Sequence, residues 1–99
     1  MNMIERLART IAQYGDAFTV GIAPHTGIFS ILSSTGASAL FDSDDLTVLS
    51  RPIYQAIVPA DDLTEESDTL DWNGLSLTVQ KILPYRYRGQ TVAKRLIVA

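Results

Sequence analysis

The chain of 99 residues has no cysteine, one histidine and one tryptophan. Without thiols it can form neither a disulfide framework nor a thiolate metal site, which fits a reducing compartment. A zinc ion would need His25 plus three carboxylates, a poor match to its preferred ligands. Long apolar runs are also missing. None approaches the roughly 20 residues of a membrane span. The first 13 residues carry Glu5, Arg6 and Arg9, where a secretory signal would be continuously apolar. The expectation is a protein of the cytoplasm with no membrane partner. The six glycines are scattered, so no phosphate-cradling loop is present. Asp42-Ser43-Asp44-Asp45 begins like a calcium loop, but Leu46 takes the fifth position and Thr47 replaces the sharp-turn glycine. No cofactor is implied.

What is present is an ordinary globular mixture, 46% hydrophobic and 19% charged, enough for one domain spanning 1–99. The net charge of −3 argues against a protein that wraps nucleic acid, whose affinity comes largely from neutralising phosphates. The charge is segregated. Nine acidic residues and one basic residue, Arg51, lie between Asp42 and Asp71, whereas Lys81 to Arg95 holds five basic residues and no acidic one. Two solvated loops would explain this. So would a subunit whose acidic edge meets the basic edge of a neighbour.

Residues 1–14 read as a helix, because Ile4, Leu7, Ala8, Ile11 and Ala12 recur at helical spacing. Gly15 follows as a candidate left-handed stop. The apolar stripe is expected to pack on the chain's own sheet, with a partner subunit as the alternative. Ala17–Ala23 and Gly27–Leu32 read as strands, separated by turn chemistry at Pro24-His25-Thr26-Gly27. A long loop over 33–50 follows, with the acidic residues Asp42, Asp44 and Asp45; nothing in 39–50 selects strand, helix or ordered loop. Arg51–Pro59 is the next strand, and Ala60–Asp68, with Asp61 and Asp62, is an acidic connector with room for a helical turn.

Asn73-Gly74 is the strongest local signal, since a two-residue type I′ turn needs positive φ at both positions. That turn sets Trp72 opposite Leu75 and Leu70 opposite Leu77. Leu70, Trp72, Leu75, Leu77 and Val79 then share one face, which with Ile4, Leu7 and Ile11 forms the expected core. Alternation breaks at Lys81, which predicts a β-bulge near Gln80. Pro84–Gln90 reads as a turn-like excursion and Thr91–Val98 as the last strand. The fold class is mainly β with an N-terminal α-helix, a small β-barrel or sandwich of five to six short strands.

For chemistry, His25 offers the only imidazole, but it sits beside a proline and no nucleophile elbow is present. A turn histidine is the expectation, and the protein is read as structural rather than as an enzyme. Tyr85-Arg86-Tyr87-Arg88 interleaves aromatics with cations. It suits an interface, since tyrosine and arginine are favoured there, an ordinary hairpin tip, or a nucleic-acid contact made by stacking and phosphate pairing. The candidate partner surfaces are therefore Asp42, Asp44, Asp45, Asp61 and Asp62 on one side and Tyr85, Arg86, Tyr87 and Arg88 on the other.

The order of features resembles the small head–tail connector proteins of tailed bacteriophages, the head-completion or stopper proteins and the lambda-type head–tail joining proteins. The similarity runs through GIFS at Gly27–Ser30, IYQAIVPADDL at Ile53–Leu63 and DTLDWNGLSLTVQKILPYRYRG at Asp68–Gly89 into RLIVA. The family's closing hairpin pattern falls on Asp68, Thr69, Leu70, Gly74, Leu77, Val79, Ile82 and Pro84. Leu77 stands where an aromatic is common and Ser67 where a glycine is common. The resemblance implies a non-enzymatic virion protein that forms a homo-oligomeric ring in the neck after passing through the host cytoplasm. It implies a portal or adaptor protein and a tail or tail-completion protein as partners, with DNA passing through without sequence recognition.

Overall fold

The helical spacing at the start becomes α1 (Met3–Tyr14) in a computed structural model that describes residues 2–41 and 52–99. The side chain of Asn2 accepts the Glu5 N–H at 2.9 Å, satisfying one of the unpaired donors of the first turn. Six strands follow, β1 (Asp16–Val20), β2 (Ala23–Ile31), β3 (Tyr54–Pro59), β4 (Thr69–Trp72), β5 (Leu75–Tyr87) and β6 (Gln90–Val98), with a short helix α2 (Ser34–Leu40) between β2 and β3. They close into an antiparallel barrel in the order β1-β2-β3-β6-β5-β4. The closing contact of β1 with β4 is only two pairs long, Thr19 with Asp71 and Val20 with Leu70.

Alternation puts Phe18, Ala56, Val58, Leu70, Leu77, Val79, Leu96 and Val98 inside the barrel. The opposite phase of β6 sends Ile97 outward into a second cluster with Ala37, Phe41 and Ile53 beneath α2. The helix α1 lies on the outer wall against β2, β3 and β6, so its stripe docks on its own sheet. Ile11 is buried, Ile4 and Leu7 are half-buried, and Ala12 is exposed. The covered stripe is narrower than the spacing predicts because the helix meets a curved wall.

The Asn73-Gly74 turn has φ of 52° and 78°, and Trp72 pairs with Leu75 and Leu70 with Leu77, the expected register. The core face is partly corrected. Leu70, Leu77 and Val79 are buried, Trp72 is half-buried, and Leu75 remains 40% exposed. Leu75 follows the turn directly and lies at the rim, bordering a groove with Pro52 and Tyr54. The expected bulge is present as a register shift between Val79 and Lys81.

Four other expectations change. The first turn is Gly21-Ile22, not Pro24–Gly27, so His25 lies within β2 and not in a turn. Pro24 is tolerated there because that part of β2 pairs with β1 alone; β3 joins only from Ile28 onward. Gly15 is extended, with φ −80°, not left-handed. A glycine is needed because a Cβ would lie 2.5 Å from the Ile11 carbonyl oxygen and 2.9 Å from that of Gly27. Residues 34–40 are helical rather than loop. Ser33 Oγ accepts the Gly36 N–H at 3.0 Å, and the small side chains let Ala37 sit flat against the barrel between the apolar anchors Leu32 and Leu40. Finally, Pro84–Gln90 is no excursion. β5 runs on to Tyr87, Arg88-Gly89 make the turn with φ of 53° and 77°, and β6 starts at Gln90.

Candidate interaction surface

The β5–β6 hairpin is longer than the barrel it belongs to. β3 last pairs with β6 at Pro59–Ala93, and β4 last pairs with β5 at Thr69–Thr78. Beyond Ala93 the two strands have only each other, so Tyr85–Thr91 forms a two-stranded ribbon past one end of the body. A second register shift, between Tyr85 and Arg86, breaks the alternation, and three consecutive residues, Tyr85, Arg86 and Tyr87, border the space beside α1. Tyr85 and Tyr87 stay largely exposed. The Arg88 guanidinium lies 5.2 Å from the centre of the Tyr87 ring, within cation–π range.

Between this ribbon and α1 runs an apolar groove of about 370 Å³. Met3 and Leu7 form the helical wall, Tyr85, Arg86 and Tyr87 the ribbon wall, and Ile57, Val92 and Ala93 line the rest. Among the described residues, Arg86 is the one charged residue in that lining. The half-buried state of Leu7 has its explanation here, since one flank of the helix stripe faces the groove rather than the barrel.

The acidic connector crosses the same end of the barrel, from β3 to β4. It is a chain of turns, not a helix. Asp62 N–H donates to Pro59 O at 3.1 Å, and Asp68 N–H to Glu65 O at 3.2 Å. The Asp62 side chain faces inward and is 6% accessible. Its Oδ2 lies 2.8 Å from His25 Nδ1, and an ionised carboxylate only accepts, so the imidazole carries its proton on Nδ1. Its Oδ1 accepts the Thr64 N–H at 2.8 Å. Lys94 Nζ reaches the Asp62 carbonyl oxygen at 2.7 Å. Burial pushes the Asp62 carboxyl up, but the bonds from Thr64 and His25 outweigh it and hold the group below the usual carboxylate value. Of the Thr64 groups, the backbone N–H makes the bond, while the buried Oγ1 has no partner among the described residues. The His25 ring stacks on Phe18 at 5.1 Å. Anchored in this way, the connector turns Leu63 outward, 84% exposed, with Asp61, Glu65 and Glu66 also exposed around it.

Of the residues singled out by sequence, Tyr85, Arg86, Tyr87 and Arg88 come together on the ribbon. Asp61 is on the surface as expected. Asp62 is not, because its carboxylate is used inside the molecule. Asp42, Asp44 and Asp45 lie outside the described residues. Sequence reasoning passed over Leu63, although an isolated leucine among five acidic residues between Asp61 and Asp68 was a visible signal. It also passed over Met3, Ile57 and Val92 as groove residues, whose convergence depends on the tertiary fold. No family model, curated protein or solved structure matches the chain.

Proposed function

We propose that the protein is a ring subunit of the neck of a tailed phage or prophage, joining the DNA-filled head at its portal or adaptor to the tail. The observation that carries this reading is the pairing of two unlike surfaces on one closed barrel. One is a projecting ribbon of tyrosine and arginine with an apolar groove beside it. The other is an acidic connector with an exposed leucine. Unlike patches favour heterologous contacts, which generate rings where the rotation closes. The barrel body is closed, so association falls to the projecting elements, whose side chains and ribbon edges are free to meet a partner. The overall acidity also suits a channel wall past which DNA slides, since a basic lining would hold phosphates. In this role the protein does no chemistry, and the His25–Asp62 pair serves to anchor the connector.

The test is electron microscopy of the protein incubated with the portal assembly encoded beside it. Rings on the portal are the expected result. Protein that enters no ring, alone or with the portal, would overturn the reading. A second reading has one observation behind it, the exposure of both tyrosines and both arginines on the ribbon. In that case the tip binds nucleic acid, with an affinity that falls steeply with salt and is lost in Arg86→Ala with Arg88→Ala. No DNA affinity at low salt would remove it.

A further inference from the structure

We infer that the groove between α1 and the β5–β6 ribbon receives the acidic connector of a second copy of this chain, with Leu63 as the inserted side chain. This rests on the ring-subunit reading and names the contact that would build the ring.

Three observations select this occupant. The first is shape and polarity. The groove is apolar and, at about 370 Å³, lies near the lower end of the range for ligand pockets, a size suited to one or two side chains rather than a whole helix. Leu63 is the complementary feature, an aliphatic side chain 84% exposed between the connector's two turns. The second is charge. Arg86 lines the groove and Arg88 stands at the ribbon's end, while Asp61, Glu65 and Glu66 flank Leu63. An apolar plug with an acidic collar thus faces an apolar socket with a basic rim, which fixes orientation as well as attraction. The third is rigidity. The Asp62 contacts to His25, Thr64 and Lys94 hold the connector to the barrel, so little ordering is needed when Leu63 docks. Leu63 cannot be serving its own chain's groove, because it is exposed. The contact is therefore between copies. One such contact is small and is expected to be weak between free subunits. It gains strength when the portal holds many copies side by side.

The test compares three proteins by native mass spectrometry over a concentration series, free and on the portal assembly. They are the wild type, Leu63→Asp, and Arg86→Glu with Arg88→Glu. The substituted residues are exposed, so unchanged circular dichroism and melting confirm the fold. Each variant is expected to associate about tenfold more weakly or worse, as loss of an interface anchor does. A chain with Asp61→Lys and Glu65→Lys should restore association when mixed with the Arg86→Glu, Arg88→Glu chain. As an independent readout, Leu63→Cys in one chain and Tyr87→Cys in another should form a disulfide on mild oxidation. No native thiol competes. Wild-type rings with undiminished assembly of both variants, or no Leu63–Tyr87 cross-link within rings, would overturn this contact and leave the ring reading standing. Wild type that assembles neither alone nor on the portal would overturn both.

Discussion

The indole of Trp72 lies flat on the ring of Phe29, with centroids 4.2 Å apart and planes 3° from parallel. β4 and β2 are not neighbours in the barrel, so this stack crosses its interior. Tyr54 meets the indole edge-on at 5.2 Å, and Phe18 meets Phe29 edge-on at 5.4 Å. Trp72→Ala is expected to lower stability by about 2–4 kcal/mol, less than a fully buried tryptophan because the indole is half-exposed. A double-mutant cycle with Phe29→Ala, read by urea unfolding, should give a coupling of about 0.5–1.5 kcal/mol. Additive losses would show that the stack contributes only area.

Gly15 and Gly21 are both glycines at element junctions, with opposite reasons for being so. A Cβ at Gly15 would strike backbone oxygens of Ile11 and Gly27, which no rotamer can relieve. At Gly21 the space is open and only the φ of +63° opposes a side chain. Gly21→Ala should cost about 1–2 kcal/mol. Gly15→Ala should cost more, because α1 must shift off the barrel. Thermal melts of the two variants check the order, and equal losses would contradict it.

The His25–Asp62 pair gives a pH dependence of definite sign. Asp62 ionises more readily in the folded chain than at its ordinary value of 3.8. Its contribution is therefore complete above that value and is lost as pH falls through the lowered one. Asp62→Asn should be less stable than wild type at neutral pH by about 1–3 kcal/mol, with the gap closing in acid. Denaturant midpoints from neutral pH down to about 2.5 would show it. A gap that stayed constant would mean that packing, not charge, is lost.

Arg88 adopts a left-handed conformation at φ 53°, where asparagine is the preferred residue of a type I′ turn. Arg88→Asn is expected to stabilise the fold by up to about 1 kcal/mol. It also removes a cation from the ribbon and should weaken self-association. A higher melting point together with weaker assembly is the expected pair of results. Stabilisation with assembly unchanged would take Arg88 out of the contact.

The two hairpin turns show what can be read from a sequence. Asn73-Gly74 declares itself because both residue types suit positive φ, and the flanking alternation fixes the same register. Arg88-Gly89 has the same geometry but hides it, since arginine seldom takes the left-handed region and Tyr85–Arg88 lacks an apolar rhythm. Pro24-His25-Thr26-Gly27 misleads in the other direction. Proline and glycine there look like a turn, whereas the proline is harmless on a stretch with one neighbour and Gly27 leaves room inside the barrel for Phe18 and Val58. The helix α2 was illegible because its sequence is small and polar, and its hold comes from Ala37, Leu40 and Phe41 finding a wall built by distant strands. In the same way the ribbon's residues were visible in advance. The inward turn of Asp62, set by partners 37 and 32 residues away, was not.

The barrel's two-pair join between β1 and β4 gives the molecule a clasp. Every other neighbouring pair of strands is joined over at least four residue pairs. Fluctuations that part the wall are therefore expected to begin at Thr19–Val20, and they bare one edge each of β1 and β4, whose backbone groups can bond to another chain. A chain held at high concentration is most vulnerable along that line. An added bond across the join would lengthen its shelf life without touching either of the surfaces it presents.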